Sequence, residues 1–409
     1  MFQYILLVIS LTAFTLFAYI KLKYPFWNLQ PVYHTYDYWR FLYKTPFVIR
    51  SSRPSKTKFT DLIHVQTTPF SALSTPALAD VVNLLQCYYI PTDRILHMIR
   101  SDDLAALHTG GSEPSFVSIY YDRLISDAST NDMVRTNPIG CITSRPLQFF
   151  YRNPARPDTY IELPIYLTDF LCVSREHNKI QTSRRLLQTH LYHQHTQNAN
   201  VVITLIKKEN EPFGGVVPLV VFKTHTFHLR DIRFPPLPDK HHLLQLNSEN
   251  LHYFIDFFYS KMDPEPKTEL FDCFILADIG NITSQIKNGL IFGYFLMIEG
   301  EVLAFYFLKD NKMVYEDIHA NTSHCIASVM NCYSADLFFS GFLHALRHLI
   351  QKHPTHTMMV MDEIGHNTFL MNAWRRKHTP VFTNDAAYYT YNFVFPSAPL
   401  NAERCLLLA

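Results

Sequence analysis

Between Asp169 and Val173 the chain reads Asp-Phe-Leu-Cys-Val, an apolar run that stops abruptly and is followed by Arg175, Lys179, Arg184 and Arg185. Such a run, ended by cations, suits a buried strand feeding a basic loop. Leu186, Leu187, His190 and Leu191 then recur at helical spacing, with Thr182 or Ser183 available as the cap. Strand, basic loop and helix N-terminus in succession suit a phosphate ligand, because the unpaired N–H groups of a helix start and the loop cations favour the same anion. Solvated surface cations are the competing reading.

The same alternation runs through the chain. Thr75 reads as the cap of a helix with Pro76 in its first turn and Leu78, Val81, Val82 and Leu85 on one face. A second short helix is expected after Thr92, and the stretch from Ser101 to Asn137, with Gly110-Gly111, reads as loop-rich. Ile139–Thr143 reads as a strand, Pro157-Asp158 as a turn, and Val201–Ile206 as a further strand. Downstream the plan repeats. Ser248 is placed to cap a helix carrying Leu251, Phe254, Ile255 and Phe258, and Leu290–Ile298 and Val302–Leu308 flank a tight Glu299-Gly300 turn. Ser334 is placed to cap a helix whose Phe338, Phe342, Ala345 and Leu349 form an apolar stripe. Helices and antiparallel strands in this order, twice over, give an α+β fold of two similar halves.

Composition bounds the function. A chain of 409 residues that is 48% hydrophobic has ample material for cores, and 36 Lys plus Arg against 35 Asp plus Glu gives no reason to expect a nucleic-acid partner. Seven cysteines without a C-x-x-C pair argue for free thiols in a reducing compartment. Among 21 histidines the best cluster is His190, His193 and His195. On a helix the first two share a face and the third does not, so no metal site is expected.

Residues 1–20 carry no charged side chain. At 1.5 Å per residue they span about 30 Å, the thickness of a bilayer core. No basic start or small-residue cleavage site marks a signal peptide, and the first cations, Lys21 and Lys23, follow the span. Residues 1–23 therefore read as a single-pass transmembrane anchor, and the positive-inside rule leaves the rest of the chain cytoplasmic. A buried or peripheral apolar helix is the alternative.

Six short motifs carry a resemblance. Phe26-Trp27-Asn28-Leu29-Gln30-Pro31-Val32 matches F-W-x-x-Q-P-V, and residues 139–146 are similar to V-G-F-I-S-x-x-P. Residues 169–174 correspond to N-F-L-C-V-H, and residues 177–184 to H-K-K-L-R-S-K-R after a short insertion. Asp362 to Leu370 matches D-x-x-x-x-x-T-F-L, and Tyr388-Tyr389-Thr390-Tyr391-Asn392 matches Y-Y-L-Y-N. In this order the motifs resemble the glycylpeptide N-myristoyltransferases, whose fold is two fused GNAT-like acyltransferase halves, here 24–215 for acyl-CoA and 216–409 for the peptide.

The resemblance implies roles residue by residue. The backbone amides of Phe170 and Leu171 would form an oxyanion hole for the thioester carbonyl. Phe26, Trp27, Lys179, Gln181, Thr182, Ser183 and Arg184 would hold the CoA, and His228 would lie near the acceptor peptide. The free α-carboxylate of Ala409 would take the proton of the glycine ammonium, with Leu406, Leu407 and Leu408 supplying an apolar pocket that raises its basicity. Myristoyl-CoA would be a co-substrate, no cofactor or metal is implied, and the partners would be proteins with an N-terminal glycine. The sequence departs from the pattern where Gln181 and Ser183 replace Arg and Lys, with Arg185 as a compensating cation. It departs again at Cys87–Asp93, where Asp93 alone remains of an acidic loop, so a preference for lysine-bearing acceptors should be lost. The G-x-G-D-G ahead of the Y-Y-L-Y-N strand is also absent, around Thr379 to Asn384. A non-catalytic membrane protein that keeps the fold as a binding module, or a GNAT-like enzyme acting on another amine, are the alternatives.

Overall fold

The computed structural model describes residues 2–42, 44–52, 54–90, 92, 94–126, 133–262, 271–332 and 334–409. The uncharged N-terminus forms one helix, α1 (Phe2–Lys23), with no buried residue. It is long and apolar enough to cross a membrane, by length and composition. Its base is seated on the body, because the Tyr24 ring lies over Gly214 and Gly215, where any Cβ would come within 3.0 Å of it. Gly215 also has φ +79, so glycine is required there twice over.

The first half contains β1 (Phe47–Val48), β2 (Val65–Pro69), α2 (Thr75–Tyr88), β3 (Ile95–His97), α3 (Ser101–His108) and β4 (Phe116–Ser126), then β5 (Met133–Asn153), β6 (Arg156–Val173), α4 (Lys179–Gln197) and β7 (Ile203–Glu209). The second half begins with β8 (Val220–His228), β9 (His241–Gln245), α5 (Leu251–Met262), β10 (Cys273–Ala277) and α6 (Ile279–Lys287). It continues with β11 (Ile291–Ile298), β12 (Glu301–Tyr315), β13 (Ala320–Met330), α7 (Ala335–Lys352), β14 (His356–Asp362) and α8 (Asn367–Trp374), and closes with β15 (Phe382–Tyr391), β16 (Phe393–Val394) and β17 (Cys405–Leu408). The fold is α+β, and one 15-stranded sheet runs through it.

The pattern duplication is a structural one. β4, β5 and β6 pair antiparallel, and β7 joins β6 in parallel after the α4 crossover. β11, β12 and β13 do the same, and β14 joins β13 in parallel after α7. Between the two units β15 pairs with β7, β8 pairs with β14, and β15 and β8 pair with each other. The apolar stripe of α7 is buried as its spacing requires, with Phe338, Phe342, Ala345 and Leu349 at 0% exposure. The Glu299-Gly300 turn has φ of 49° and 94°, the double left-handed geometry that suits the twist of a two-residue hairpin.

Several local expectations shift. Ser74, not Thr75, caps α2, accepting from Ala77 N. Asn178, not Thr182 or Ser183, caps α4, its Oδ1 accepting from Gln181 N at 3.1 Å. The expected basic loop from Lys179 to Arg184 is therefore helix, because an Asn side chain satisfies the first-turn amides as well as a hydroxyl does. Asn247 and Asn250 exchange amide hydrogen bonds ahead of α5, so the chain there is held by a pair of asparagines and not by Ser248. The stretch from Ser101 carries α3 and β4, with β3 where a helix after Thr92 was expected. Pro157 and Asp158 lie inside β6, and the hairpin turns at Pro154-Ala155.

Candidate active site

The Asp169–Val173 run is not a straight strand. Cys141 faces Cys172 and Thr143 faces Asp169, so Phe170 and Leu171 together oppose the single Ile142. Phe170 has φ +54, a left-handed backbone in a bulky residue and a costly conformation outside glycine. The bulge falls where β6 leaves β7, since their pairing covers only Ile165–Thr168 against Ile203–Ile206. Beyond Thr168 the two parallel strands diverge, and Leu171 is 37% exposed. A bulge re-aims backbone groups out of the ladder, as an oxyanion-binding site requires.

The start of α4 lies downstream of this opening. Its first turn holds no acid, and Lys179, Ile180 and Gln181 are exposed while Thr182 is buried. The Arg184 guanidinium stands 5.9 Å over the Phe26 ring, and Phe26 packs edge-on against Trp27 and Phe59 at about 5 Å. The structure thus brings Phe26, Trp27 and the cationic helix start together. Arg185, expected to stand in for lost cations, is committed elsewhere: its Nη1 lies 3.5 Å from Asp61 Oδ2 and 3.5 Å from the Tyr120 hydroxyl.

Deeper in, ionic groups converge on the axis between the halves. Lys207, the first residue of β7 past its pairing with β6, reaches Asp362, the first residue of β14 past its pairing with β13, at 3.7 Å. Lys207 also meets Glu209 at 3.0 Å, while Thr224 Oγ1 donates to Asp362 at 2.7 Å and His324 Nε2 stands 3.2 Å from it. Burial disfavours the Lys207 charge, but Asp362, Tyr388 and Glu209 outweigh it and hold its pKa well above the usual lysine value. Burial likewise works against the Asp362 carboxylate, yet Lys207 and His324 keep its pKa well below the ordinary range. Arg145 on β5 and Lys309 on β12 also occupy equivalent places, each one residue past the partner of the last residue paired across the divergence. Burial, then the neighbouring Arg145, lowers the Lys309 pKa to about 8.

Sequence reasoning missed Arg145, Lys207 and Lys309. Isolated cations within apolar strands were the available signal, since a charge on a buried strand needs a partner. His228 is not drawn into this cluster: it ends β8, four residues past Thr224, the position paired with Asp362. Asp93 lies outside the described residues. Nearby Tyr89 turns inward, its hydroxyl 3.5 Å from Asp169 Oδ1, and burial followed by the Asp169 charge raises its pKa well above 10.

The C-terminus is pinned, not frayed. β17 pairs in parallel with β10, with Leu406, Leu407 and Leu408 all buried and Ala409 packed against the same core. One step past Leu408 the register carries Ala409 to the level of Ala277 and Leu147, two residues along β5 from Arg145. His190 is fully buried, 2.8 Å from Ser118 Oγ, and among the described residues no group of His, Cys, Asp or Glu is arranged to hold a metal.

No family model matches the chain, and no curated protein matches it in sequence. Solved structures do. Saccharomyces cerevisiae N-myristoyltransferase with bound myristoyl-CoA aligns over 91% of this chain and 93% of its own at a TM-score of 0.64 and 12% identity. A second structure of that protein with myristoyl-CoA aligns over 93% and 90%, at 0.66 and 12%. A third, with myristoyl-CoA and inhibitors, aligns over 95% of each chain at 0.66 and 13%. The fold of this chain is that of the N-myristoyltransferases.

Proposed function

We propose that the chain is an N-acyltransferase that moves a long acyl group, myristoyl, from CoA to the N-terminal glycine of a protein. The observation that carries this reading is the Phe170–Leu171 bulge, set where β6 and β7 part and followed by a cationic helix start. Backbone N–H groups there would stabilise the oxyanion as the free amine attacks the thioester, with no covalent enzyme intermediate. Phe26, Trp27 and the 179–184 turn would hold the CoA. Cys172 is no candidate nucleophile, being buried with its Sγ directed at Leu84 O.

The base is assigned to the Ala409 carboxylate. A free carboxylate is a poor base in water, and the buried leucines before it would supply an apolar setting that favours its protonated form. Residues 24–215 would form the acyl-CoA half and 216–409 the acceptor half, with α1 as a membrane anchor that leaves both in the cytoplasm. The test is a thermal shift on the full chain in detergent. Stabilisation by myristoyl-CoA and not acetyl-CoA is expected, about 2.7 kcal/mol at a hundredfold excess over Kd. No shift with either would mean the fold serves as a binding or structural module.

A further inference from the structure

One of the two amides assigned to the oxyanion site is already taken. Phe170 N donates to Asp169 Oδ1 at 2.8 Å, a charge-assisted bond to the side chain of the residue before it. The same oxygen lies 3.5 Å from the Tyr89 hydroxyl, while the Asp169 main-chain carbonyl lies 3.5 Å from Thr143 Oγ1. Phe170 is left-handed, and this geometry lets the amide turn back onto the preceding side chain. The second half has no counterpart: the extra residue of the β13 bulge is Ile326, without a carboxylate.

We propose that Asp169 is a positioning residue that competes with the acyl carbonyl for the Phe170 N–H, so the oxyanion site is closed until the carboxylate turns away. This rests on the acyl-CoA reading above. A carbonyl oxygen arriving at Phe170 must displace a full negative charge, and a carboxylate left beside it opposes the charge that develops on that oxygen. Arg145 and Lys309 both act electrostatically on Asp169, and Tyr89 offers a hydroxyl, so the displaced carboxylate has partners to turn towards. The thioester alone gains little from the site, and premature loss of the acyl group to water is suppressed.

The test separates carbonyl recognition from CoA recognition. Affinities of the full chain are measured for myristoyl-CoA and for its alkyl thioether, which has the same chain and no carbonyl, in the wild type, Asp169→Asn and Asp169→Ala. The wild type should bind the two within about twofold. Asp169→Ala should favour the thioester by about tenfold, the worth of one neutral amide–carbonyl hydrogen bond, with Asp169→Asn between them. Asp169→Asn keeps the side-chain shape, so a folding defect confined to the alanine variant leaves the comparison intact. An identical thioester preference in all three proteins overturns the proposal while leaving CoA binding standing. Failure of the wild type to bind either ligand overturns the acyl-CoA reading, and this one with it.

Discussion

The two crossover units have the same topology and opposite contents. In the first, β6 parts from β7 after Thr168, and the helix that follows begins with Lys179 and has no acid in its first turn. In the second, β13 parts from β14 after Cys325, and α7 carries Asp336 in its first turn. There the gap is filled from within: Asn367 Nδ2 donates to Cys325 O and Asp362 O, Ser328 Oγ donates to Asn367 Oδ1, and Met330 N donates to His366. Duplication made two openings between parallel strands, and side chains of α8 and the turn before it occupy one. On the proposed function, a ligand that inserts between strands would enter the first half.

The comparison can be broken most decisively at the C-terminus, where the second half would supply the base to a donor held by the first. Adding two residues after Ala409, or amidating it, should cut acyl transfer by roughly 10² to 10⁴ with acyl-CoA affinity unchanged. Normal turnover by an extended protein would remove the terminal carboxylate from the mechanism. Next in size, Asn367→Ala should cost about 2–4 kcal/mol in denaturant unfolding, because it strands buried carbonyls at the filled opening. Arg184→Ala at the open one should leave stability nearly unchanged and weaken acyl-CoA binding by about tenfold. Equal stability losses in the two variants would contradict the asymmetry.

Acid sharpens the contrast. Burial pushes His97 and His195 down to about 4, His108 and His190 to about 3, and in the second half His366 to about 4. Below the ordinary value of 6.5 the unfolded chain binds protons that the folded one refuses, so stability falls as pH drops from 6.5 towards 4. Four of these five histidines lie in the first half, so hydrogen exchange at pH 4.5 should loosen α3 and α4 before α7 and α8. The reverse order would mean that these groups do not govern acid lability.

Much of the architecture was legible because it rests on period: the α7 stripe, the Glu299-Gly300 hairpin and the paired strands all follow from spacing. The site was legible only as a position. Asp-Phe-Leu-Cys-Val has no glycine to announce a left-handed residue, so the bulge at Phe170 reads as plain strand. The α4 cap was missed because an asparagine stood upstream of two plausible hydroxyl residues. Asn367 could not be read as a plug, since its partners at Cys325 and Ser328 lie about forty residues away and side-chain hydrogen bonds leave no periodic trace. Arg185 looked available for a ligand because Asp61 is still more remote in sequence.

The placement of β15 and β17 has a consequence for how the chain is made. β7 acquires its second neighbour only when residues 386–391 arrive, and β10, once seated on β5, waits for residues 405–408. During synthesis the edges of β7 and β10, the surfaces most prone to wrong pairing, therefore stay bare until residues 386–391 and 405–408 have been added. A chain halted before residue 382 would hold β7 and β8 with nothing between them, so premature termination near the end should yield aggregate and not a smaller working protein.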